Sequence, residues 1–253
     1  MPCLCLGYIY FMKKRNYRNS LTFITNGFRA SWGNAQDLVG ASKILLDSGF
    51  HAQSLSLSVL ALEELGKLFC LDGLLFAKED DLKVKNFKKS LRDHSTKLSA
   101  FELFPLFLKN IASQDPRFEV DQRFRKALEI SIDDLLRKGN DVLNSLNENT
   151  FHSLDALKQA GFYTHPNEST NIFLKPSQVI NKDQALAIYE LSWRASTTLD
   201  FLFKNDGLEK YIAKVENFRS NLSEEDHQNL TQMADEFLKK HNEADDQNIS
   251  TLH

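Results

Sequence analysis

At 253 residues the chain is long enough to bury a sizeable core, either as one large domain or as a domain with an appendage. Its 31 Lys and Arg against 34 Asp and Glu leave a formal charge of -3, so nothing in the global balance points to nucleic acid or to a membrane surface. With 19 Phe but only 5 Pro and 10 Gly, the composition favours an all-α fold, while three cysteines (Cys3, Cys5, Cys70) are too few and too badly spaced for a disulfide framework or a zinc site and suit a reducing cytosol.

The opening residues, MPCLCLGYIYFMKKRNYRNS, place an apolar run ahead of a basic cluster, the reverse of a secretory signal, and fall short of the about 20 apolar residues that span a bilayer. Within an N-terminal segment of residues 1–28, residues 1–11 stand as an over-extended start before Met12, a short core strand or a weak interfacial anchor. From Gly33 to Ser48, Ala35, Leu38, Ser42 and Leu45 recur at helical spacing, and Gly49 supplies a stop. His51 to Lys78 is the most apolar stretch of the chain and reads as a central, buried helix. A third helix is predicted from Val84 to about Leu103, interrupted near Pro105 and restarted by FPLFLKNIA.

A fourth, from Phe118 to about Leu146, carries Phe124, Leu128, Ile132, Leu135 and Leu136 at helical intervals. Four such amphipathic helices with short connections predict an up-down bundle. Residues 151–182 mix aromatic and β-branched runs with Gly, Pro and Asn, which reads as an irregular excursion or small hairpin. Helix resumes from Lys182 to about Lys204, capped by Asn181 or preceded by Ser177. The main domain thus spans 29–205, C-terminal helices near 207–220 and 223–241 occupy 206–243, and residues 244–253 form a polar, disordered tail. No glycine-rich nucleotide loop, G-x-S-x-G or H-E-x-x-H occurs, so neither a cofactor nor a metal is expected.

The run LALEELGKLF, residues 60–69, sets charges inside the central helix. At about 100° per residue, Glu63, Glu64 and Lys67 fall in one sector together with Leu60, Leu71 and Leu74, while Val59, Leu62, Gly66, Cys70 and Gly73 form a small-residue strip read as the opposite side. Glu63 and Lys67 are i,i+4 with the acid first, the better orientation, and Glu64 and Lys67 are i,i+3. Two acids and one lysine leave a surplus negative charge, which is costly once desolvated.

The next helix offers partners. Phe87, Leu91, Leu98 and Phe101 mark its apolar stripe, His94 fills the gap in it, and Lys97 follows three residues later. His94 and Lys97 are therefore placed to meet Glu63, Glu64 and Lys67 across a helix contact, either as a functional site or as a buried polar latch that fixes helix register.

These residues carry a resemblance. NAQDLVGASKILLDSGFHAQSLSLSVLALEELGKLFCL, then DHSTKL and GFYTHPN…FLKPSQVI, resemble the AbiV family of abortive-infection proteins, whose members are HEPN-type helical bundles. Asn34-Ala35 matches the family's opening pair; Glu63, Glu64, Gly66 and Lys67 match its E-E-x-G-K; His94 and Lys97 match its H-x-x-K; and Leu157, Lys158, Tyr163, Pro176 and Ile180 match its Leu-Lys…Tyr segment and Pro-x-x-x-Ile. The similarity spans about residues 30 to 205, with Thr164-His165 standing where the family has an acid after the tyrosine.

The resemblance implies a cytosolic phage-resistance protein, silent until a phage-encoded protein triggers it, that then arrests host translation, and it implies a homodimer. HEPN domains include metal-independent ribonucleases built on an Arg with four to six residues between it and a His. Here Lys88 and Lys89 hold those positions and Arg92 is too close to His94. Two readings follow: an effector acting by binding, or an RNA-cleaving toxin in which His94 is general acid/base, Lys97, Lys67 or Lys88 meets the phosphate and Glu63 or Glu64 orients them. A carboxylate-bridged metal site, with Glu224 and His227 as the one Glu-x-x-His pair, is the third.

Overall fold

Gly49 turns the chain between the two longest of the described helices. Its φ of 81° lies in the left-handed region that glycine enters at no steric cost, and Gly49 and Phe50 donate their N–H groups back to the carbonyls of Leu46 and Leu45. The computed structural model describes residues 17–76, 91, 93–102, 104–114, 121–145, 150–167, 170–204, 206–221 and 223. In chain order the elements are α1 (Tyr17–Asp47), α2 (His51–Phe76), α3 (His94–Glu102), α4 (Phe104–Gln114), α5 (Gln122–Ser145), α6 (Thr150–Phe162), β1 (His165–Asn167), β2 (Ile172–Leu174), α7 (Pro176–Val179), α8 (Lys182–Phe203) and α9 (Gly207–Ser220). The architecture is an all-α bundle carrying a single two-stranded antiparallel sheet among the described residues, with Asn167 opposite Ile172.

Helix α2 is the axis of the bundle, and α1, α3, α6 and α8 pack around it. Its apolar residues Leu55, Val59, Leu62, Leu65 and Leu68 are fully buried on different sides, as expected of a helix that is hydrophobic all round. The α1–α2 contact is partly polar: the Ser42 hydroxyl meets the Ser54 carbonyl and hydroxyl at 2.9 Å and the Ser58 hydroxyl at 2.6 Å. These bonds satisfy groups that would otherwise be desolvated without partners.

Phenylalanines join α1, α3 and α4. Phe101, Phe104, Phe107 and Phe28 form a run with ring centroids 5.2, 5.8 and 6.2 Å apart. Pro105 sits in the first turn of α4, where its missing N–H breaks no helical bond, so the predicted interruption and restart are both present. Asn181 caps α8 as expected: its side chain accepts the Gln184 N–H while the Gln184 side chain accepts the Asn181 N–H. Helix α9 packs back on the bundle, with the buried Tyr211 ring edge-on to Phe107 and Glu209 paired to Arg29 of α1.

Several expectations change. Helix α1 runs through position 28 as one helix and contributes Ile24 and Phe28 to the core, so apolar residues upstream of Gly33 continue its inner stripe. The described helix α3 begins at His94, where the Asp93 carboxylate accepts the Thr96 N–H (2.7 Å) and hydroxyl (2.5 Å) and so caps it, while residues 84–90, where the third helix was expected to start, lie outside the described residues. Residues 150–162 are helical; only 165–174 forms the hairpin, since Leu154, Lys158 and Gly161 recur at helical intervals against α2. The expected helix at 223–241, the tail and residues 1–16 lie outside the described residues.

Candidate functional site

The site is assembled around a carboxylate on α2. Ala52, Ser56 and Glu63 share one side of that helix, with Gly66 close by in angle. Helix α6 crosses at the first two: a Cβ on Gly161 would overlap the Ser56 hydroxyl and the Ala52 carbonyl, and Ser56 Oγ donates to the Lys158 carbonyl at 2.8 Å. Helix α3 crosses at Gly66, where a Cβ would overlap the Lys97 carbonyl oxygen. Two glycines thus let two helix backbones descend on either side of Glu63.

What they bring is positive charge. His94 Nδ1 lies 2.5 Å and Lys97 Nζ 3.1 Å from Glu63 Oε2, while Lys158 Nζ donates to Oε1 at 2.6 Å. The side chain of Glu63 is 1% exposed and that of Lys158 4%, but His94 is 55% exposed. The carboxylate is therefore buried and saturated, and the imidazole it holds reaches the surface. Lys158 is also 2.5 Å from Asp155. Burial alone would push the Lys158 ammonium down, but the Asp155 and Glu63 carboxylates against it more than offset that and hold it above its usual value.

The structure brings Glu63, His94 and Lys97 together as the pattern suggests, and separates Glu64 and Lys67 into a pair of their own. Lys67 Nζ donates to both Glu64 oxygens, at 2.7 and 2.6 Å, across i,i+3. The expected i,i+4 pairing with Glu63 does not form, because Glu63 faces inward onto cations from two other helices while Lys67 and Glu64 are half-buried toward the edge. His94 is also not a core residue: at the first turn of α3, ahead of buried Leu98 and Phe101, its ring stays more than half exposed. Gly66 is adjacent to the charged sector rather than opposite it, and its contact is with the very helix that carries Lys97.

Lys158 and Asp155 were the members that residue patterning alone did not assign to the site. The signal was present, since Leu154, Lys158 and Gly161 step by four and three along what proves to be a helix, and a lysine on an apolar stripe asks for a buried acid. Lys88, Lys89, Arg92, Glu224 and His227 lie outside the described residues. Of the other matched positions, Ala35 and Ile180 are core residues and Tyr163 is exposed beyond the end of α6.

Chemically, an ionised carboxylate only accepts, so Glu63 fixes the Nδ1–H tautomer of His94 and leaves Nε2 to take or give a proton. Lys67 and Lys97 each already face a carboxylate. Cys70 is no nucleophile: burial pushes its thiol up to about 12 despite the nearby Lys97 and Lys67 charges. Among the described residues no three His, Cys, Asp or Glu side chains converge to hold a metal ion, and no helix is long and apolar enough to cross a membrane.

The AbiV family model (HEPN_AbiV) matches residues 23–196. The chain belongs to the AbiV family. The matched segment takes in α1 from Phe23 to most of α8 and so includes Glu63, His94, Lys97 and Lys158, whereas α9 falls outside the AbiV match. No curated protein and no solved structure matches the chain.

Proposed function

We propose that this AbiV-family protein gives bacteria resistance to phage by abortive infection: a cytosolic homodimer, silent until a phage-encoded protein engages it, that then arrests host translation through its Glu63-centred cluster. The observation that carries the reading is the convergence of three residues from two helices, His94, Lys97 and Lys158, on the buried Glu63 carboxylate of a third helix, inside the segment matched by the family. A phage challenge of cells carrying the wild type or His94→Ala, with protein synthesis followed after infection, tests it. Loss of protection in a His94→Ala protein of normal abundance is the expected result; undiminished protection would remove the cluster from the function.

A second reading, metal-independent RNA cleavage, is favoured by one specific feature: a half-exposed imidazole whose Nδ1 is held by a buried carboxylate. In that reaction His94 Nε2 takes the proton of a ribose 2′-hydroxyl, the 2′-oxygen attacks the adjacent phosphate to close a 2′,3′-cyclic phosphate, and the bond to the 5′-oxygen of the next nucleotide breaks as that oxygen takes a proton from water. Purified protein incubated with tRNA, with and without EDTA, decides it. Cleavage that survives EDTA and disappears in His94→Ala supports the enzyme; intact tRNA with folded protein leaves the binding effector.

A further inference from the structure

Helix α8 lies between α5 and α1 and runs antiparallel to both: Glu190 and Arg194 pair with Lys138 and Asp134 of α5, while Asp200 accepts from Gln36 and Phe203 meets Trp32 on α1. Its outward ridge, at helical spacing, is Leu186, Trp193, Thr197 and Phe201, all exposed, and Ile130 of α5 is exposed as well. The Arg194 guanidinium lies over the Trp193 ring, 5.9 Å from its centroid. An apolar ridge centred on Trp and Arg and edged by ion pairs has the make-up of a protein interface. Three helices abreast, each about 10 Å across, give a face about 30 Å wide, large enough for the about 800 Å² per partner that a stable complex buries.

The charges on this face are self-complementary. Asp183 and Lys204, both exposed, stand at opposite ends of the ridge, about 30 Å apart along the helix and out of each other's reach, and Trp193 lies at their midpoint. On α5, Lys126 and Asp141 are also exposed at opposite ends, and their midpoint falls at Asp134. The Arg194–Asp134 pair puts the two midpoints at one level. A two-fold axis through that level, perpendicular to the helices, therefore sets Asp183 against Lys204 of a second copy and Lys126 against Asp141 of that copy, with the two Trp193 rings at the centre.

We propose that the outer face of α8 and α5 is the homodimer interface, two copies joining antiparallel about Trp193. This rests on the homodimer in the functional reading above and adds where the copies meet. Sedimentation equilibrium of the purified full chain, with no RNA or phage product present, tests it. The unsubstituted protein is a dimer, and Trp193→Ala raises the dimer dissociation constant by about 30-fold, the effect of losing a central anchor. Asp183→Lys or Lys204→Asp alone weakens the dimer by about 5–10-fold, and the double variant restores it, because these two charges meet only between copies. Thermal melts establish that each variant folds. A dimer unmoved by Trp193→Ala, or single charge variants that do not weaken it or are not rescued by the double, overturns the interface and leaves the homodimer standing. A monomer overturns both, and one that dimerises only after removal of residues 224–253 gives the face to that segment instead.

Discussion

Gly66 of α2 and Lys97 of α3 meet backbone to backbone. The Phe101 amide nitrogen is only 3.2 Å from where a Gly66 Cβ would stand, and the Lys97 carbonyl oxygen is closer still. This contact sets the height of α3 over α2, and with it the 3.1 Å separation of Lys97 from Glu63. Gly66→Ala must push α3 outward against backbone atoms that cannot rotate away, and we expect a loss of about 2–3 kcal/mol. Gly40→Ala, on an open helix surface with nothing within 4 Å, is the control and gains about 0.5–1 kcal/mol. Urea unfolding of both variants checks the pair, and equal effects would show that the crossing is not tight.

The two glutamates of the motif differ sharply in what their removal does. Glu63→Gln leaves Lys97 and Lys158 desolvated with half their compensation gone and is expected to cost about 3–5 kcal/mol. Glu64→Gln disturbs a single pair near the edge and costs about 1 kcal/mol or less. Thermal melts at fixed pH rank them, and a Glu63→Gln protein as stable as Glu64→Gln would mean the buried cluster is not a structural centre.

Asp72 makes the fold pH-sensitive. Burial pushes its carboxyl up to about 7 from the ordinary 3.8, against the opposing effect of the Tyr211 hydroxyl that donates to it. The folded state therefore keeps this proton after the unfolded chain has lost it. The stability it contributes is complete below about pH 4 and is lost as pH rises to about 7. Asp72→Asn keeps an acceptor for Tyr211 and removes the titration, so it should gain on the order of 3 kcal/mol over the wild type at pH 8 and little at pH 4. Denaturation midpoints across that range test the sign; a parallel pH dependence in both proteins would contradict it.

Asp93 holds the first turn of α3 and so presents His94. Asp93→Ala removes the cap on the Thr96 N–H and is expected to cost about 1 kcal/mol. Because the cap is local, amide exchange should accelerate in the first turn of α3 before it changes in α2. Uniform acceleration along both helices would place the effect elsewhere.

Much of this was legible in the residues. The bundle, the break at Pro105, the cap at Asn181 and the grouping of Glu63 with His94 and Lys97 follow from helical periodicity, backbone chemistry and the cost of desolvating charge, all local or nearly so. Residues 151–162 were misread because their Phe, His and Gly content resembles a turn-rich segment, and with the helix went the lysine on its inner face. Gly66 was assigned to the side opposite the charges by a miscount, since about 100° per residue puts it only about 60° from Glu63, and the structure seats the Lys97 backbone against it.

By itself, then, the sequence determined that α2 is covered on most sides, that it carries charges needing partners, and that α3 supplies two of them. Only the tertiary structure decided that Lys67 turns to Glu64, that Lys158 completes the shell of Glu63, and that His94 stands at the surface. The reason is physical: periodicity is set by the geometry of a single helix, whereas the pairing of a buried charge depends on which backbones can approach within reach, and here Gly66 and Gly161 make that choice at positions far apart in the chain.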